Sequence, residues 1–329
     1  MFVVSIICEI ITSFKMFFFR FNLSVIINIM IELFIMIFIG YILFKVKLFD
    51  KNFNQKITKL ILHVTMPALI ISSVLKQTSK PSEQVVYMTF GVAIAMFLIL
   101  PIIGLIVAKL IRADKKQQGL YAFMMTFSNI GFMGFPVISS LFGSTAVFYT
   151  AIINIIFNIT SFSIGVILLR YGGGAKAKFN IQKLLTPGVL FSALAIVIYA
   201  FNIQFPAVVS NTIDRIGSTT TPLAMLLMGS TLATMNLIQI FNEGRVYLFC
   251  IIKQIIIPII VYPTVKYFVH DSLLFGVVMV LLMMPVATNA IMFSIECEGD
   301  EKLAAKSVFI STVLSLFTIP ALMYFLKLI

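Results

Sequence analysis

Two apolar segments of this chain are interrupted by residues that break helices and leave backbone polar groups free. One interruption covers residues 128–136 (SNIGFMGFP) and the other covers residues 284–289 (MPVATN). Proline lacks a backbone donor and glycine weakens a helix, so both segments predict helices that stop and start again. The start of a helix carries free N–H groups and a positive dipole end, which favour an anion. We therefore predict an anion site at these breaks, with kinks that serve only packing as the alternative.

The predicted substrate ligands come from the two breaks and from one lysine in another apolar segment. They are Asn129, Gly131, Gly134, Pro136, Pro285, Thr288, Asn289 and Lys253. At 1.5 Å per residue, Asn129 lies roughly 16 Å and Pro285 roughly 20 Å from the start of its segment, near the middle of a bilayer. Lys253 could add positive charge for a carboxylate, or it could extend its amino group to the membrane surface.

Three further polar residues lie inside apolar segments and are candidates for coupling transport to an ion. Glu32 could be a protonatable group or the partner of Lys253, although a structural ion pair or a carboxyl kept neutral by burial would also explain it. Asn154 and Asn158 are four residues apart and therefore share a helix face. Hydrogen bonding between helices is the alternative for this asparagine pair.

The composition of the chain predicts a membrane protein. Hydrophobic residues make up 60% of it and charged residues 11%, with a mean hydropathy of +1.10, whereas soluble domains carry about 25% charged residues. Two histidines and three dispersed cysteines predict no metal centre and no disulfide framework. The net charge of +12 comes from basic residues between the apolar segments, so we expect orientation signals and not nucleic-acid binding.

The apolar segments have the length of membrane-spanning helices, which need about 20 residues each. They are too long and too uniform for the strands of a membrane barrel. We predict an all-α protein of ten spans, at residues 23–44, 57–76, 84–109, 118–142, 145–169, 184–202, 208–237, 244–268, 272–296 and 303–327. Residues 1–22 are predicted to be an N-terminal extension, as an interfacial helix or, alternatively, an eleventh span. A cytosolic linker at 171–183 would separate the first five-helix repeat, 23–170, from the second, 184–329.

The two halves repeat each other at a nearly constant distance. Residues 65–69 (TMPAL) precede residues 220–224 (TTPLA) by 155 positions, and Pro101 precedes Pro258 by 157. Five spans per half make the second copy enter from the opposite side, which is the inverted repeat of many secondary transporters. Most of the 24 lysines and arginines lie in loops on one side. That side is predicted to be cytosolic, which puts the start of span 1 and the C-terminus outside the cell membrane.

Several motifs resemble those of the auxin efflux carrier family of permeases. Residues 129–136 (NIGFMGFP) resemble its span-4 motif, and residues 221–229 (TPLAMLLMG) its span-7 motif. Residues 285–289 (PVATN), 299–300 (GD) and 311–320 (STVLSLFTIP) resemble its C-terminal helices. The resemblance runs from about residue 23 to the end. It implies two crossing broken helices that hold the substrate between a scaffold domain and a mobile transport domain, as in bacterial carriers of malate or malonate and in the plant carriers of auxin.

The sequence therefore predicts a secondary transporter that moves a small organic anion, a mono- or dicarboxylate, by alternating access. An enzyme is not expected, because no nucleophile–base pair or metal motif lies at membrane depth. A channel or a membrane receptor built on the same fold is the alternative. The expected partners are the anion, the lipid bilayer, H⁺ or Na⁺ as a coupling ion, and a second copy of the chain in a homodimer. No cofactor is expected.

Overall fold

A computed structural model of the chain describes residues 28–29, 31–75, 81–171, 186–234, 244–297 and 299–326. Within these residues every regular element is a helix, and the extended pairing is limited to one isolated antiparallel bridge. The prediction of an all-helical chain is confirmed for this part of the protein. The predicted N-terminal extension, 1–22, and nearly all of the predicted linker, 171–183, lie outside the described residues.

The first half of the chain runs from helix α1, at residues 31–45, to helix α8. The helices that follow α1 are α2 (Lys51–Leu60), α3 (Met66–Leu75), α4 (Glu83–Leu110), α5 (Lys115–Thr126), α6 (Phe135–Phe142), α7 (Ser144–Phe162) and α8 (Ile164–Arg170). A π-helical turn, Ile61–Thr65, joins α2 to α3, and a second one, Ile130–Gly134, leads into α6.

The second half begins with α9 and ends with the long helix α16. Its helices are α9 (Pro187–Phe201), α10 (Ala207–Ser218), α11 (Thr220–Ala233), α12 (Gly244–Ile251), α13 (Ile257–Phe268), α14 (Ser272–Met283), α15 (Asn289–Glu296) and α16 (Glu301–Phe325). A third π-helical turn, Ile252–Ile256, joins α12 to α13.

Five described helical stretches are long and apolar enough to cross a membrane. They are Lys51–Leu75, Glu83–Leu110, Ser144–Arg170, Gly244–Phe268 and Glu301–Phe325. The other predicted spans coincide with shorter or interrupted helices, among them Ile130–Phe142, Pro187–Phe201 and Ser272–Met283. On α4, four apolar side chains at four-residue spacing are 47% to 60% exposed: Ile94, Leu98, Ile102 and Ile106. An exposed apolar stripe of this length is suited to lipid, so the chain is a multi-pass membrane protein.

Polar side chains fix the starts of several helices. Asp50, Ser82, Thr186, Asp271 and Asp300 precede α2, α4, α9, α14 and α16, and each accepts a hydrogen bond from a backbone N–H three residues later. These caps satisfy one of the N–H groups that a helix start leaves without a partner. The boundaries of these helices are therefore encoded locally.

Each of the three π-helical turns ends two residues before a proline. The turns end at Thr65, Gly134 and Ile256, and the prolines are Pro67, Pro136 and Pro258. A proline in a helix has no N–H to donate and its ring clashes with the carbonyl four residues earlier. A wider turn just before the proline accommodates both effects without ending the helix. The prolines of the sequence pattern therefore produce local widening in these spans.

Close backbone packing joins the first and the seventh predicted spans. A side chain at Gly40 of α1 would meet the backbone of Leu226, and one at Gly229 of α11 would meet the carbonyl oxygen of Ile37. Such backbone contact is typical of helices that pack in a bilayer through small residues. Helix α3 also packs on α7, α9 and α10, whereas α4 packs on α5 and α7.

Candidate anion-binding site

The break in predicted span 4 carries its own cap. Helix α5 ends at Thr126, Phe127 is extended, and the next helical turn begins after Asn129. The Asn129 side-chain oxygen accepts a hydrogen bond from the N–H of Phe132 at 3.2 Å, and its carbonyl accepts one from Gly134 at 2.8 Å. Asn129 is 3% exposed. One asparagine therefore organises the restart of this helix, a capping role that the sequence, which predicted Asn129 as a substrate ligand, did not assign to it.

The break in predicted span 9 has no such cap. Helix α14 ends at Met283, Met284 is extended, and α15 begins at Asn289. Thr288 precedes α15 but makes no side-chain hydrogen bond to it. Thr288 and Asn289 are both half-buried, whereas the residues before them are buried. The restart of this helix is therefore the more open of the two.

The two breaks pair with each other as a short antiparallel bridge centred on Ser128 and Val286. The N–H of Asn129 donates to the carbonyl of Pro285 at 2.8 Å, and the N–H of Ala287 donates to the carbonyl of Phe127 at 3.1 Å. These bonds satisfy backbone groups that would be costly to leave free inside a membrane. The pairing brings four helix ends to one place: the ends of α5 and α14 and the starts of the two restarted helices.

The predicted ligand Lys253 reaches the pairing from the π-helical turn Ile252–Ile256. Its Nζ donates to the hydroxyl of Ser128 at 2.8 Å and to the carbonyl of Met284 at 3.0 Å. Lys253 is 2% exposed, so its amino group does not extend to the membrane surface. In this structure the ammonium is bonded to protein oxygens at both breaks.

Two buried side chains from neighbouring spans hold the second break in place. Ser311 of α16 accepts a hydrogen bond from the N–H of Val286 at 3.0 Å. Gln254, which follows Lys253, donates to the carbonyl of Ser311 at 2.9 Å. Gln254 and Ser311 are both 0% exposed. The second break therefore depends on contacts from predicted spans 8 and 10 where the first depends on its own asparagine.

Charge is distributed unequally over the pairing. The ends of α5 and α14 are negative dipole ends, and Lys253 lies against them. The starts of the restarted helices are positive dipole ends. Some of their N–H groups are already bonded, among them those of Phe132 to Asn129 and of Ala290 and Ile291 to the carbonyls of Ala287 and Thr288. The side-chain nitrogen of Asn129 is buried without a hydrogen-bond partner. This side of the pairing offers donors and positive potential to an anion.

The glycines and prolines of the predicted ligand set shape the backbone of the breaks. Gly131 is half-buried, and a methyl group there would touch only Met66, at 3.8 Å. Gly134 and Pro136 are buried, and Pro136 occupies the first turn of α6, where a missing N–H costs little. Pro285 contributes its carbonyl to the pairing. Their effect on a ligand would therefore act through the backbone path.

The three coupling candidates lie apart from the bonds that form this pairing. Glu32 is exposed on α1, and Lys253 is bonded to Ser128 and Met284, so the two do not pair here. Asn158 donates to the carbonyl of Asn154 at 2.7 Å and accepts from Thr186, the cap of α9, at 3.5 Å. The hydrogen bond between helices that the sequence offered as the alternative is therefore made by Asn158, whereas its bond to the carbonyl of Asn154 lies within α7.

Sequence reasoning gave no role to Ser128, Gln254 or Ser311. Ser128 and Ser311 lie within segments that the sequence analysis quoted, and Gln254 stands beside Lys253 in an otherwise apolar run. A second polar residue at membrane depth was an available signal for Gln254. Within the described residues, no group of three histidine, cysteine, aspartate or glutamate side chains could hold a metal ion.

A family model described as "Membrane transport protein" matches residues 25–323. A Rhizobium meliloti (strain 1021) protein named "Putative malonate transporter" is 23% identical, over 91% of this chain and 95% of its own. An uncharacterized transporter of Methanothermobacter thermautotrophicus is 24% identical over 87% of this chain and 93% of its own. Another, of Methanocaldococcus jannaschii, is 22% identical over 89% of this chain and 96% of its own.

Proposed function

This chain belongs to the membrane transport protein family that includes the auxin efflux carriers, and on that premise we propose that it is a secondary transporter for a small organic anion. The anion would be a mono- or dicarboxylate of the malate, malonate or auxin type, carried across the cell membrane by alternating access. Family membership and the transporter names of its relatives support transport over catalysis.

The observation that carries this proposal is the pairing of the two breaks. Asn129 and Pro285 are joined by a 2.8 Å backbone hydrogen bond, so the helix starts at Ile130 and Asn289 lie beside one pairing. Each helix start supplies about half a positive charge in addition to its free N–H groups. The partnerless amide nitrogen of Asn129 adds a donor that an anion could accept from. Helix starts bind phosphate, sulfate and carboxylate groups, and the malonate in the name of the Rhizobium meliloti relative favours a carboxylate here.

A dicarboxylate suits two helix starts better than a monocarboxylate does. One carboxylate can face the restart after Asn129, and the other can face the half-buried Thr288 and Asn289. The name of the Rhizobium meliloti relative, which mentions malonate, supports a short dicarboxylate. A monocarboxylate would use one helix start and leave the other to water, so we expect it to bind more weakly.

Alternating access would come from movement of the paired breaks against a scaffold. The tight contact of α1 with α11 and the packing of α3 on α9 and α10 support a scaffold of predicted spans 1, 2, 6 and 7. The bonds that Lys253 and Ser311 make to the breaks support a transport unit that includes spans 4, 8, 9 and 10. The ten spans would form a 5+5 inverted repeat with both ends of the core outside. H⁺, Na⁺ or the membrane potential would supply the driving force.

Counterflow in proteoliposomes tests this function directly. Purified protein would be reconstituted with unlabelled malonate or malate inside, and uptake of labelled malonate, malate and a monocarboxylate would be measured. We expect saturable uptake that internal substrate accelerates, because a carrier exchanges faster than it returns empty. A channel would give uptake without saturation, and a receptor would bind the anion without uptake.

Two variants give this assay its internal controls. Asn129→Ala removes the cap and the free amide donor of the first break, and we expect it to reduce uptake strongly. Asn211→Ala removes the same side chain from an exposed position on α10, and we expect unchanged uptake. Absence of uptake of every organic acid by the wild-type protein would contradict the proposal, as would equal uptake by both variants.

A further inference from the structure

The ammonium group of Lys253 occupies a position made of uncharged oxygens. Its two described partners are the Ser128 hydroxyl at 2.8 Å and the Met284 carbonyl at 3.0 Å. In the part of the chain that the structure describes, no carboxylate lies within salt-bridge distance of it. A fully buried ammonium is costly unless nearby groups compensate its charge. The compensation here must come from something other than an acidic side chain.

The ends of two half-helices supply that compensation. Met284 caps the end of α14 and accepts through its carbonyl, whereas Ser128, two residues beyond the end of α5, accepts through its side-chain hydroxyl. The end of a helix is equivalent to roughly half a negative charge, so two such ends together balance about one positive charge. Lys253 lies at the meeting point of both ends, which explains how a single ammonium can be buried there without a carboxylate.

Oxygens of this kind are also ligands for a free alkali cation. In transporters with broken helices, unwound backbone carbonyls and the ends of half-helices coordinate Na⁺ near the bilayer midplane. We propose that the ammonium of Lys253 takes the place of such a cation at the paired breaks. The cation at this position is tethered to the π-helical turn Ile252–Ile256 and cannot leave, so Na⁺ neither binds there nor drives transport through it.

This inference deepens the proposed function, because it excludes Na⁺ bound at the paired breaks as the ion that drives transport. It rests on the proposed function only in this statement about transport. It also assigns Lys253 a positioning role: the lysine holds the negative helix ends together, and the anion meets the opposite, positive ends. Gln254, the next residue, supports the same break through Ser311. The two neighbouring polar residues of predicted span 8 thus stabilise the pairing from one helix.

The thermal unfolding of purified protein tests the inference without any transport. Wild type, Lys253→Ala and Lys253→Met would be unfolded in NaCl, KCl and choline chloride at equal ionic strength. We expect the same unfolding temperature for wild type in all three salts. Lys253→Ala should unfold at a lower temperature in choline, and Na⁺ or K⁺ should raise that temperature by a few degrees with a saturable dose dependence. Lys253→Met fills the vacated volume, so it should be destabilised without cation rescue.

Three results would overturn the inference. Saturable stabilisation of the wild-type protein by Na⁺ would reveal a free cation site, and this measurement needs no variant to fold. Wild-type stability of Lys253→Ala in choline would mean that no cation is needed at the breaks. Destabilisation that neither Na⁺ nor K⁺ relieves would mean that the lysine acts through packing alone. Because every readout is unfolding, absent anion flux would count against the proposed function and not against the tethered cation.

Discussion

The two breaks look alike in the sequence but are stabilised in different ways. The first is capped from within, because Asn129 accepts a hydrogen bond from Phe132 at the restart of its own helix. The second has no side-chain cap at Thr288 and is held from outside by Ser311 and Gln254. The first is buried around its cap, whereas the second restarts at half-buried residues.

This difference gives the two breaks different roles: the first has a fixed geometry, and the second is more accessible to a ligand. A break that carries its own cap keeps the local geometry of its restart, so the first break is suited to orient a ligand, although Lys253 and Pro285 also bond to it from outside its span. A break held by neighbouring helices moves with them, and its start has no side-chain cap, although the N–H groups of Ala290 and Ile291 donate to the carbonyls of Ala287 and Thr288. We therefore expect changes at the first break to affect both stability and binding, and changes at the start of α15 to affect binding alone.

Loss of the outside support should give the largest change in stability. Ser311→Ala removes the acceptor for the N–H of Val286, which is buried, and an unsatisfied buried donor costs about 1–3 kcal/mol. Denaturant or thermal unfolding in detergent would measure the loss. Ser307→Ala, one turn earlier on α16, removes a buried hydroxyl that has no partner and should change stability by less than about 0.5 kcal/mol. Equal losses in both variants would show that the second break does not depend on this contact.

Loss of the internal cap should have the next largest effect. Asn129→Ala should cost about 1 kcal/mol of stability, the typical value for a helix cap, and should weaken anion binding as well. Asn129→Asp keeps an oxygen for the N–H of Phe132 but replaces the free amide with a negative charge. We expect it to retain most of the stability while losing anion binding. An Asp variant that binds the anion as well as wild type would show that Asn129 does not contact the anion.

Changes at the uncapped start of α15 should leave stability nearly untouched. Thr288 makes no capping hydrogen bond and Asn289 is half-buried, so Thr288→Ala and Asn289→Ala should each change stability by less than about 0.5 kcal/mol. We expect the KM for the anion to rise in Asn289→Ala with an unchanged unfolding temperature. A large drop in unfolding temperature would mean that Thr288 or Asn289 stabilises the start of α15 as Asn129 stabilises the first break.

The smallest loss of stability is expected at the glycines of the first break. A methyl group at Gly131 would touch only Met66 at 3.8 Å, while one at Gly134 would approach Leu281 at 3.2 Å and the carbonyl of Asn129 at 3.4 Å. Gly131→Ala should therefore keep or raise stability by up to about 1 kcal/mol, through the lower entropy of alanine. Gly134→Ala should be slightly destabilised. The same unfolding assay compares the pair, and the reverse order would contradict the geometry of this turn.

Local patterns in the sequence predicted much of the fold. Apolar length located the spans, with α9 beginning at Pro187, three residues after the predicted start of its span at residue 184. The caps Ser82, Thr186 and Asp271, which set the starts of α4, α9 and α14, formed no part of the prediction. Proline and glycine predicted both breaks, because their effects on backbone bonds are local. Whether ten spans form two inverted sets of five remains a prediction, since five described stretches meet the length for a span.

The family resemblance implied that the two broken helices cross, but the backbone bonds that pair the breaks could not be read from the sequence. The partners Asn129 and Pro285 are far apart in the chain, and a local pattern carries no information about which distant backbone groups meet. For the same reason the sequence predicted Lys253 as a substrate ligand, and only the fold showed its bonds to Ser128 and Met284. The side-chain roles that depend on chain crossing were therefore beyond prediction, whereas the residues that create the breaks were not.

The central claim is that the two helix starts hold one anion between them. The dissociation constant for malonate, or for the best substrate of the counterflow screen, would be measured for wild type, Asn129→Ala, Asn289→Ala and the double variant. If both residues contact the same anion, the losses of binding free energy in the two single variants should not add up to the loss in the double variant. The difference should be about 0.5 kcal/mol or more, because the anion is their common partner. Additive losses, or unchanged affinity in either single variant, would contradict a joint site at the paired breaks.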